Sequence, residues 1–312
     1  VNNIDVIIPT YRPGHKFIEL LERLHRQTMR PDHIIVINTG REYYDQLVYG
    51  MNLAKEYPEL EVHHIEKNAF DHAATRNEAV RSYSHADVFI MMTQDAVPSD
   101  RYLVERIKKA SEDEGVAVAY ARQLAGRKAS PAEKYTRHFN YPAVSAVRTK
   151  QDKEIYGIKT YFCSNVCAAY NRDIFDRIGG FSAPAIFNED MIFAANAIND
   201  GYAVAYAADA KVYHSHDYTG AQQFHRNFDL AVSQAQHPEI FEGVGSEHEG
   251  IRFAKDTLKY LCKYGYARYE IPFIWRCMCR YAGYLLGKRY RILPKDMIMK
   301  CTMNKTYWEN NR

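Results

Sequence analysis

Three clusters in this 312-residue chain carry residue types at a spacing that could do chemistry. The first is Thr93-Gln94-Asp95, directly after the apolar run Val88–Met92. A carboxylate there is ordinarily a turn former. It can also hold a divalent cation against a diphosphate, because Mg²⁺ and Mn²⁺ favour oxygen donors and commonly take one or two carboxylates plus phosphates. The second is Asn188-Glu189-Asp190. Asn188 suits a helix N-cap and the two acids suit a helix's first turn. Beside the aromatic, glycine-marked stretch of Gly180, Phe181 and Phe187, the same acids could set a general base against a hydroxyl. The third is His214-Ser215-His216, closing a strand. One ring of the pair, not both, is expected on any ion. Arg76, in Thr75-Arg76-Asn77 near a helix start, sits where a phosphate is already favoured.

These residues need a scaffold, and the first third of the chain supplies the pattern for one. Short apolar runs at 5–9, 33–37, 62–65, 87–92 and 116–120 alternate with helical segments. Among the latter, Phe17, Leu20, Leu21 and Leu24 share one helix face. That rhythm predicts an α/β fold with a mostly parallel sheet covered on both faces. In such sheets ligands sit beyond the carboxyl ends of the strands, which selects residues 9–12, 38–40, 68–71, 93–95 and 214–216. Other expectations are one long helix from about 41 to Tyr57, stopped by Pro58, and a patternless, lid-like loop over 122–160. Two short strands near 203–206 and 211–213 and helices from Gly220 onward complete the reading.

Composition narrows the classes. Apolar residues at 46% and charged residues at 25% exclude disorder. Mean hydropathy is −0.47, and nothing approaches the ~20 apolar residues of a membrane span. The N-terminal segment lacks the form of a signal peptide, so a cytosolic protein is expected. The six cysteines show neither a C-x-x-C pair nor zinc spacing. No G-x-G-x-x-G follows the first strand and no P-loop occurs, which counts against dinucleotide dehydrogenases and P-loop NTPases. Residues 252–312 hold 14 Lys/Arg and 4 Asp/Glu, a net +10 against −7 for the rest. Such a basic end implies an anionic partner. Its basic residues are interleaved with Phe253, Leu258, Tyr260, Leu261, Tyr264, Phe273, Ile274, Trp275, Tyr284 and Leu285. The readings are a helical subdomain or homodimer contact, or a peripheral membrane surface. No nucleic-acid recognition motif accompanies the charge.

In order and content, the clusters resemble family 2 glycosyltransferases with a GT-A fold. The matching pieces are Val6-Ile-Ile-Pro-Thr-Tyr11, Ala74-Thr-Arg-Asn77, Met92-Thr-Gln-Asp-Ala-Val-Pro98, Gly179-Gly-Phe181, Asn188-Glu-Asp190 and Val212-Tyr-His214. Phe70-Asp-His72 and His214-Ser-His-Asp-Tyr218 are similar to segments of bacterial rhamnosyltransferases. The resemblance implies a Rossmann-like GT-A catalytic domain over 1–220 and a basic helical C-terminal region over 221–312. It implies inverting transfer from a nucleotide-diphosphate sugar with Mg²⁺ or Mn²⁺. Asp95 is then the last position of the DxD-type motif, whose first position is Thr93 here, and His214, or alternatively His216, is the later ligand. Asp190 is the base with Glu189 beside it. Pro9, Thr10, Tyr11, Arg12, Asn38, Asp71, Arg76 and Gln94 fall to the donor. Many relatives carry an Asp where Asn38 stands, so among dTDP- and UDP-sugars a thymidine donor, dTDP-rhamnose, is expected. The acceptor would be a glycan or polyprenyl-linked glycan of bacterial surface polysaccharide at the inner face of the plasma membrane. Two rival classes are a nucleotidyltransferase, opposed by the loop Pro9-Thr-Tyr-Arg-Pro-Gly14, and a non-catalytic nucleotide-sugar binder.

Overall fold

The computed structural model describes the backbone of residues 3–242 and 246–311, and the side chains of all of these except 246–249. Arg312, the end of the expected C-terminal region, lies outside the described residues. Among the described residues nine strands form one sheet: β1 (Ile4–Tyr11), β2 (His33–Thr39), β3 (Leu60–Ile65), β4 (Val88–Met92), β5 (Val97–Pro98), β6 (Val116–Leu124), β7 (Ala146–Arg148), β8 (Cys167–Asn171) and β9 (Ala203–Tyr213). Their order is β3-β2-β1-β4-β8-β6-β9-β5, with β7 also on β9. Pairing is parallel from β3 to β4 and between β6 and β9, while β8 runs antiparallel to both its neighbours. Strands β1, β2, β3, β4, β6 and β9 therefore share one direction, and the sheet is mostly parallel. The chain leaves β1 toward β2 and β3, then returns to pair β4 on β1's other side. That reversal opens a crevice beyond the carboxyl ends of β1 and β4.

Alternation explains why the strands read as unbroken apolar runs. Ile7, Ile35, Ile37, Phe89 and Met91 enter one core, while Val6, Ile8, Ile34, Val36, Ile90 and Met92 enter the core on the opposite face. The helix His15–His25 seals the second core with Phe17, Leu20, Leu21 and Leu24, all fully buried.

Several expectations need correction. The long helix after β2 is two short ones, Arg41–Leu47 and Leu53–Glu56. Gly50 at φ +77° and the Asn52 cap separate them. Residues 122–160 are not a bare loop: Ser130 caps the helix Pro131–Asn140, and β7 follows. The two strands near 203 and 211 are one strand, β9, with a register shift opposite Ala121/Arg122. The antiparallel β8 is a further element.

After Gly220 the described residues are mainly helical, as expected. Helix Gly220–Gln236 packs closely on helix Glu270–Lys288. A Cβ on Gly283 would lie 2.2 Å from the Phe224 carbonyl oxygen, and one on Gly287 2.3 Å from that of Phe228. Glycines four apart thus let the two backbones touch. Among the described residues no helix is long and apolar enough to cross a membrane.

Candidate active site

At the end of β4 the chain turns through residues 93–96, closed by the Ala96 N–H on the Thr93 carbonyl, and presents Asp95. The structure overturns the expectation that only one of His214 and His216 reaches the ion. Residues two apart point the same way in extended chain, and just beyond the end of β9 at Tyr213 the two rings still meet. Their Nε2 atoms lie 3.0 Å apart, and Asp95 sits 3.6 Å from His214 and 3.1 Å from His216. One ligand atom from each residue falls within 4.8 Å of the others.

The donor chemistry of this trio fits a divalent cation. His214 Nδ1 is 3.0 Å from Gln123 Oε1, so it carries the proton and leaves the Nε2 lone pair free. Burial, against the pull of Asp95, lowers the His214 pKa to about 3, which keeps the ring in its neutral, ligating form. For Asp95, burial works to raise the pKa. The His216 hydrogen bond and the charges of His214, His216 and Lys16 outweigh it and hold the carboxylate ionised. Thr93 Oγ1, at the motif's first position, is buried with no hydrogen-bond partner.

The acidic pair stands at the start of helix Glu189–Asn199. Asn188 occupies the cap position in a left-handed conformation at φ +62°. Its side chain makes no cap bond and instead donates toward the Leu230 carbonyl. Asp190 accepts from the Asn165 N–H at 2.9 Å and the Met191 N–H at 2.8 Å. Glu189 accepts from Asn165 Nδ2 at 3.1 Å and pairs with Arg76 at 3.4 Å. Burial disfavours charge on both. Arg76, His72 and Asn165 outweigh it at Glu189, whose pKa falls below the usual range. At Asp190 burial and the Glu189 charge together raise the pKa to about 7. Neighbouring carboxyls pushed apart in this way mark acid–base assignments. Here Asp190 is the one suited to gain and lose a proton near neutrality.

A strip the sequence reading overlooked joins the two centres. Ser164 accepts from Gln123, the residue that orients His214. Asn165 holds both acids, and the Val166 carbonyl accepts the Thr93 N–H. Its only sequence signal is a Ser-Asn pair before the apolar run of β8.

A cleft of about 550 Å³ is lined by Thr93 and Gln94, which precede Asp95, and by Arg76, the partner of Glu189. Of the residues expected on the donor, Pro9, Thr10, Tyr11, Arg76 and Gln94 line it. Gln94 clamps the Tyr11 backbone through both its amide atoms, at 3.0 and 3.1 Å. Arg12, at φ +48°, stands at the rim over the Tyr43 ring. Two expectations fail on geometry. Asn38 is fully buried, its amide spent on Thr10, Gly40 and His64, so it shapes the loop and does not face the cleft. Asp71 caps the helix His72–Ser82 through Ala73 and Ala74, and its other oxygen accepts the Ala185 N–H. That carboxylate positions the loop leading to the acids. Asn77 does likewise, gripping the Phe181 backbone at 2.8 and 2.9 Å, where a Cβ on Gly180 would meet Asn77 Oδ1 at 2.8 Å. The far wall was not anticipated: Arg226, Met303, Asn304 and Lys305 come from the C-terminal helices. Buried Asp229 anchors it by accepting from Thr302 Oγ1 and the N–H groups of Met303 and Asn304.

Residues 5–179 match the family described as Glycosyl transferase family 2. The chain belongs to that family. It is a glycosyltransferase, and as a family 2 member it works by inverting transfer from nucleotide-sugar donors, which sets aside the two rival classes. Its likeness to full-length relatives extends beyond the matched segment. It is 39% identical over 311 residues to the O-antigen chain rhamnosyltransferase RfbN of Salmonella typhimurium, covering 98% of this chain and 96% of that protein. To the O-antigen chain rhamnosyltransferase WbaN of Salmonella anatum it is 36% identical, covering 98% and 95%. In fold it is similar to a Pyrobaculum calidifontis mannosyltransferase, PcManGT, solved with GDP-Man and Mn²⁺. The TM-score is 0.62 at 16% identity, over 93% of this chain and 88% of the other. Residues 1–349 of S. aureus TarS, solved with UDP-GlcNAc, give 0.53 at 14% identity, covering 92% and 91%. This glycosyltransferase thus has the GT-A-like α/β fold with a C-terminal helical extension.

Proposed function

We propose that this enzyme transfers L-rhamnose from dTDP-rhamnose to a growing, lipid-linked surface glycan, using a divalent cation held by Asp95, His214 and His216. The observation that carries this reading is the convergence of that trio at the sheet's switch-point edge, joined through residues 164–166 to an acid pair with opposed pKa shifts. Similarity to two O-antigen chain rhamnosyltransferases supports the choice of sugar and acceptor. Two imidazoles beside one carboxylate favour Mn²⁺ over Mg²⁺, which prefers an all-oxygen shell.

In the reaction the acceptor hydroxyl oxygen attacks the anomeric carbon as the bond to the nucleoside diphosphate breaks. Asp190 takes the hydroxyl proton. A bound cation supplies compensation for the charge that develops on the departing diphosphate. Arg76, whose buried Nε has no hydrogen-bond partner, is placed to add to it. Glu189 keeps Arg76 oriented and, by its own charge, keeps Asp190 basic enough to accept a proton. Tyr11, Arg12 and Tyr43 form the platform for the base, with the Tyr11 and Tyr43 rings 5.8 Å apart.

We take residues 1–220 as the catalytic domain and 221–312 as a region that completes the cleft and meets the membrane. Of the apolar residues expected on a membrane surface, Phe253, Leu261 and Phe273 are buried. Ile271, Ile274, Trp275, Met278 and Tyr281 instead form an exposed stripe along one face of helix Glu270–Lys288. Aromatic and aliphatic side chains amid net positive charge suit the headgroup layer of an anionic leaflet.

A turnover assay with a panel of nucleotide sugars, using membrane lipid extract as acceptor and Mn²⁺ or chelator, tests the reading. Sugar transfer from dTDP-rhamnose in Mn²⁺ alone is expected. Transfer from another donor, or full activity in chelator, would contradict it.

A further inference from the structure

A second cavity, of about 560 Å³, lies among the helices Gly220–Gln236, Ser246–Lys263 and Glu270–Lys288. Its walls are mainly apolar: Leu230, Ile251, Phe253, Ala254, Tyr281 and Tyr284. Tyr281 also ends the exposed stripe, so the cavity opens beside the face offered to the membrane. At its inner end stands Arg280, which faces a smaller recess as well. That recess is lined by Arg276, Gln223, Tyr218 and His216, and His216 belongs to the proposed cation site.

The charged groups along this path are unevenly partnered. Among the described residues Arg280 makes no hydrogen bond and no ion pair, and its guanidinium lies only over the Phe253 ring, at 5.6 Å. The acids of the recess are already committed. Glu133 pairs with Arg137 at 2.7 Å and also accepts the His216 N–H, and Asp217 accepts from the N–H and hydroxyl of Ser130. Two guanidinium groups therefore share one small volume with two carboxylates that are held by other partners. Planar guanidinium donors are well matched to phosphate.

An apolar channel that ends at a pair of arginines selects an amphiphile with an anionic head. We propose that this groove holds the hydrocarbon chain of a lipid phosphate, with the phosphate at Arg276 and Arg280 and the chain leading out beside Tyr281 to the membrane. The inference rests on the transferase reading above and names the acceptor's anchor. The phosphate would sit one recess away from His216, which sets the attached sugar toward the cleft while the chain stays in the lipid.

The test is a binding experiment on the full chain with farnesyl phosphate below its micelle concentration. Farnesol, inorganic phosphate and vesicles of anionic phospholipid serve as the other arms. Farnesyl phosphate is expected to bind at least about tenfold more tightly than farnesol or inorganic phosphate, since each of these lacks one half of the recognition. Ile251→Glu, at a position 56% exposed and so tolerant of the change, and Arg280→Gln should each weaken it by about tenfold or more. Binding of dTDP-rhamnose with Mn²⁺ should stay within about twofold in both, because neither residue lines the donor cleft. Equal affinity for farnesyl phosphate in wild type and both variants would overturn the proposal. So would uptake by vesicles alone, or chain-independent phosphate binding. Loss of these lipid effects with donor binding intact would refute the groove and leave the transferase standing, whereas failure of the wild type to bind any nucleotide sugar would refute the transferase itself.

Discussion

The two halves of the molecule solve opposite problems with polar groups. In the sheet half, nearly every polar side chain near the cleft is turned inward and spent: Asn38 on Thr10, Gly40 and His64, Asp71 on three backbone N–H groups, and Asn77 on Phe181. In the helical half, apolar surface is left outward, with Ile271 80% exposed, and among the described residues Arg280 has no hydrogen bond or ion pair. The first arrangement fixes geometry for a reaction. The second leaves surface free for something outside the chain to complete. Satisfied buried networks rigidify, whereas exposed apolar patches rimmed by charge mark interaction sites.

The largest effect belongs to the sheet half. Asp190→Asn should lower kcat by ~10²–10⁴ while the donor still binds, because the lost group acts on the acceptor's proton. A variant that kept more than about a tenth of wild-type kcat would remove Asp190 from the reaction. The same residue sets the pH dependence. A base with its pKa raised to about 7 is protonated and idle below that value, so kcat/KM should climb through neutrality and level off above it. A flat profile from pH 5 to 8 would count against the assignment.

Next in size is the support of the cation site. Gln123→Leu removes the acceptor for His214 Nδ1 without touching a ligand, and should weaken Mn²⁺ affinity by ~10–100-fold. Calorimetric titration with Mn²⁺ reads this directly, and unchanged affinity would mean that Gln123 does not orient the ligand. The smallest effect belongs to the helical half. Replacing Ile271 and Trp275 together by Glu should reduce co-sedimentation with anionic vesicles severalfold and leave donor binding unchanged. Negligible binding of the wild type to anionic and neutral vesicles alike, at low and high salt, would return the stripe to an oligomer contact.

Most of what positions the site was legible because it follows from local pattern. Strand runs, the stripe of Phe17, Leu20, Leu21 and Leu24, and the carboxyl-end rule pointed to residues 93–95 and 214–216, and the acid pair 189–190 stood out by residue type at a helix start and by the family resemblance. What escaped depends on tertiary contact. One imidazole was expected at the ion, but residues two apart point the same way, and both rings meet just beyond the strand's end at Tyr213. Asn38 and Asp71 have donor-binding chemistry, yet burial and backbone partners had already claimed them. The strip at 164–166 left almost no trace, since its worth lies in what it joins. Asp229 and residues 303–306 reach the cleft from more than two hundred and nearly three hundred residues beyond the first strand's loop, a proximity no sequence period encodes.

Donor binding measured with and without Mn²⁺ tests the central claim most directly. Calorimetry of dTDP-rhamnose with wild type, Asp95→Ala, His214→Ala and His216→Ala compares all three ligands at once. The account predicts tight binding for the wild type in Mn²⁺, a large loss in chelator, and a comparable loss for each variant in Mn²⁺. Equal affinity with Mn²⁺ and with chelator, or wild-type behaviour of all three variants, would contradict it.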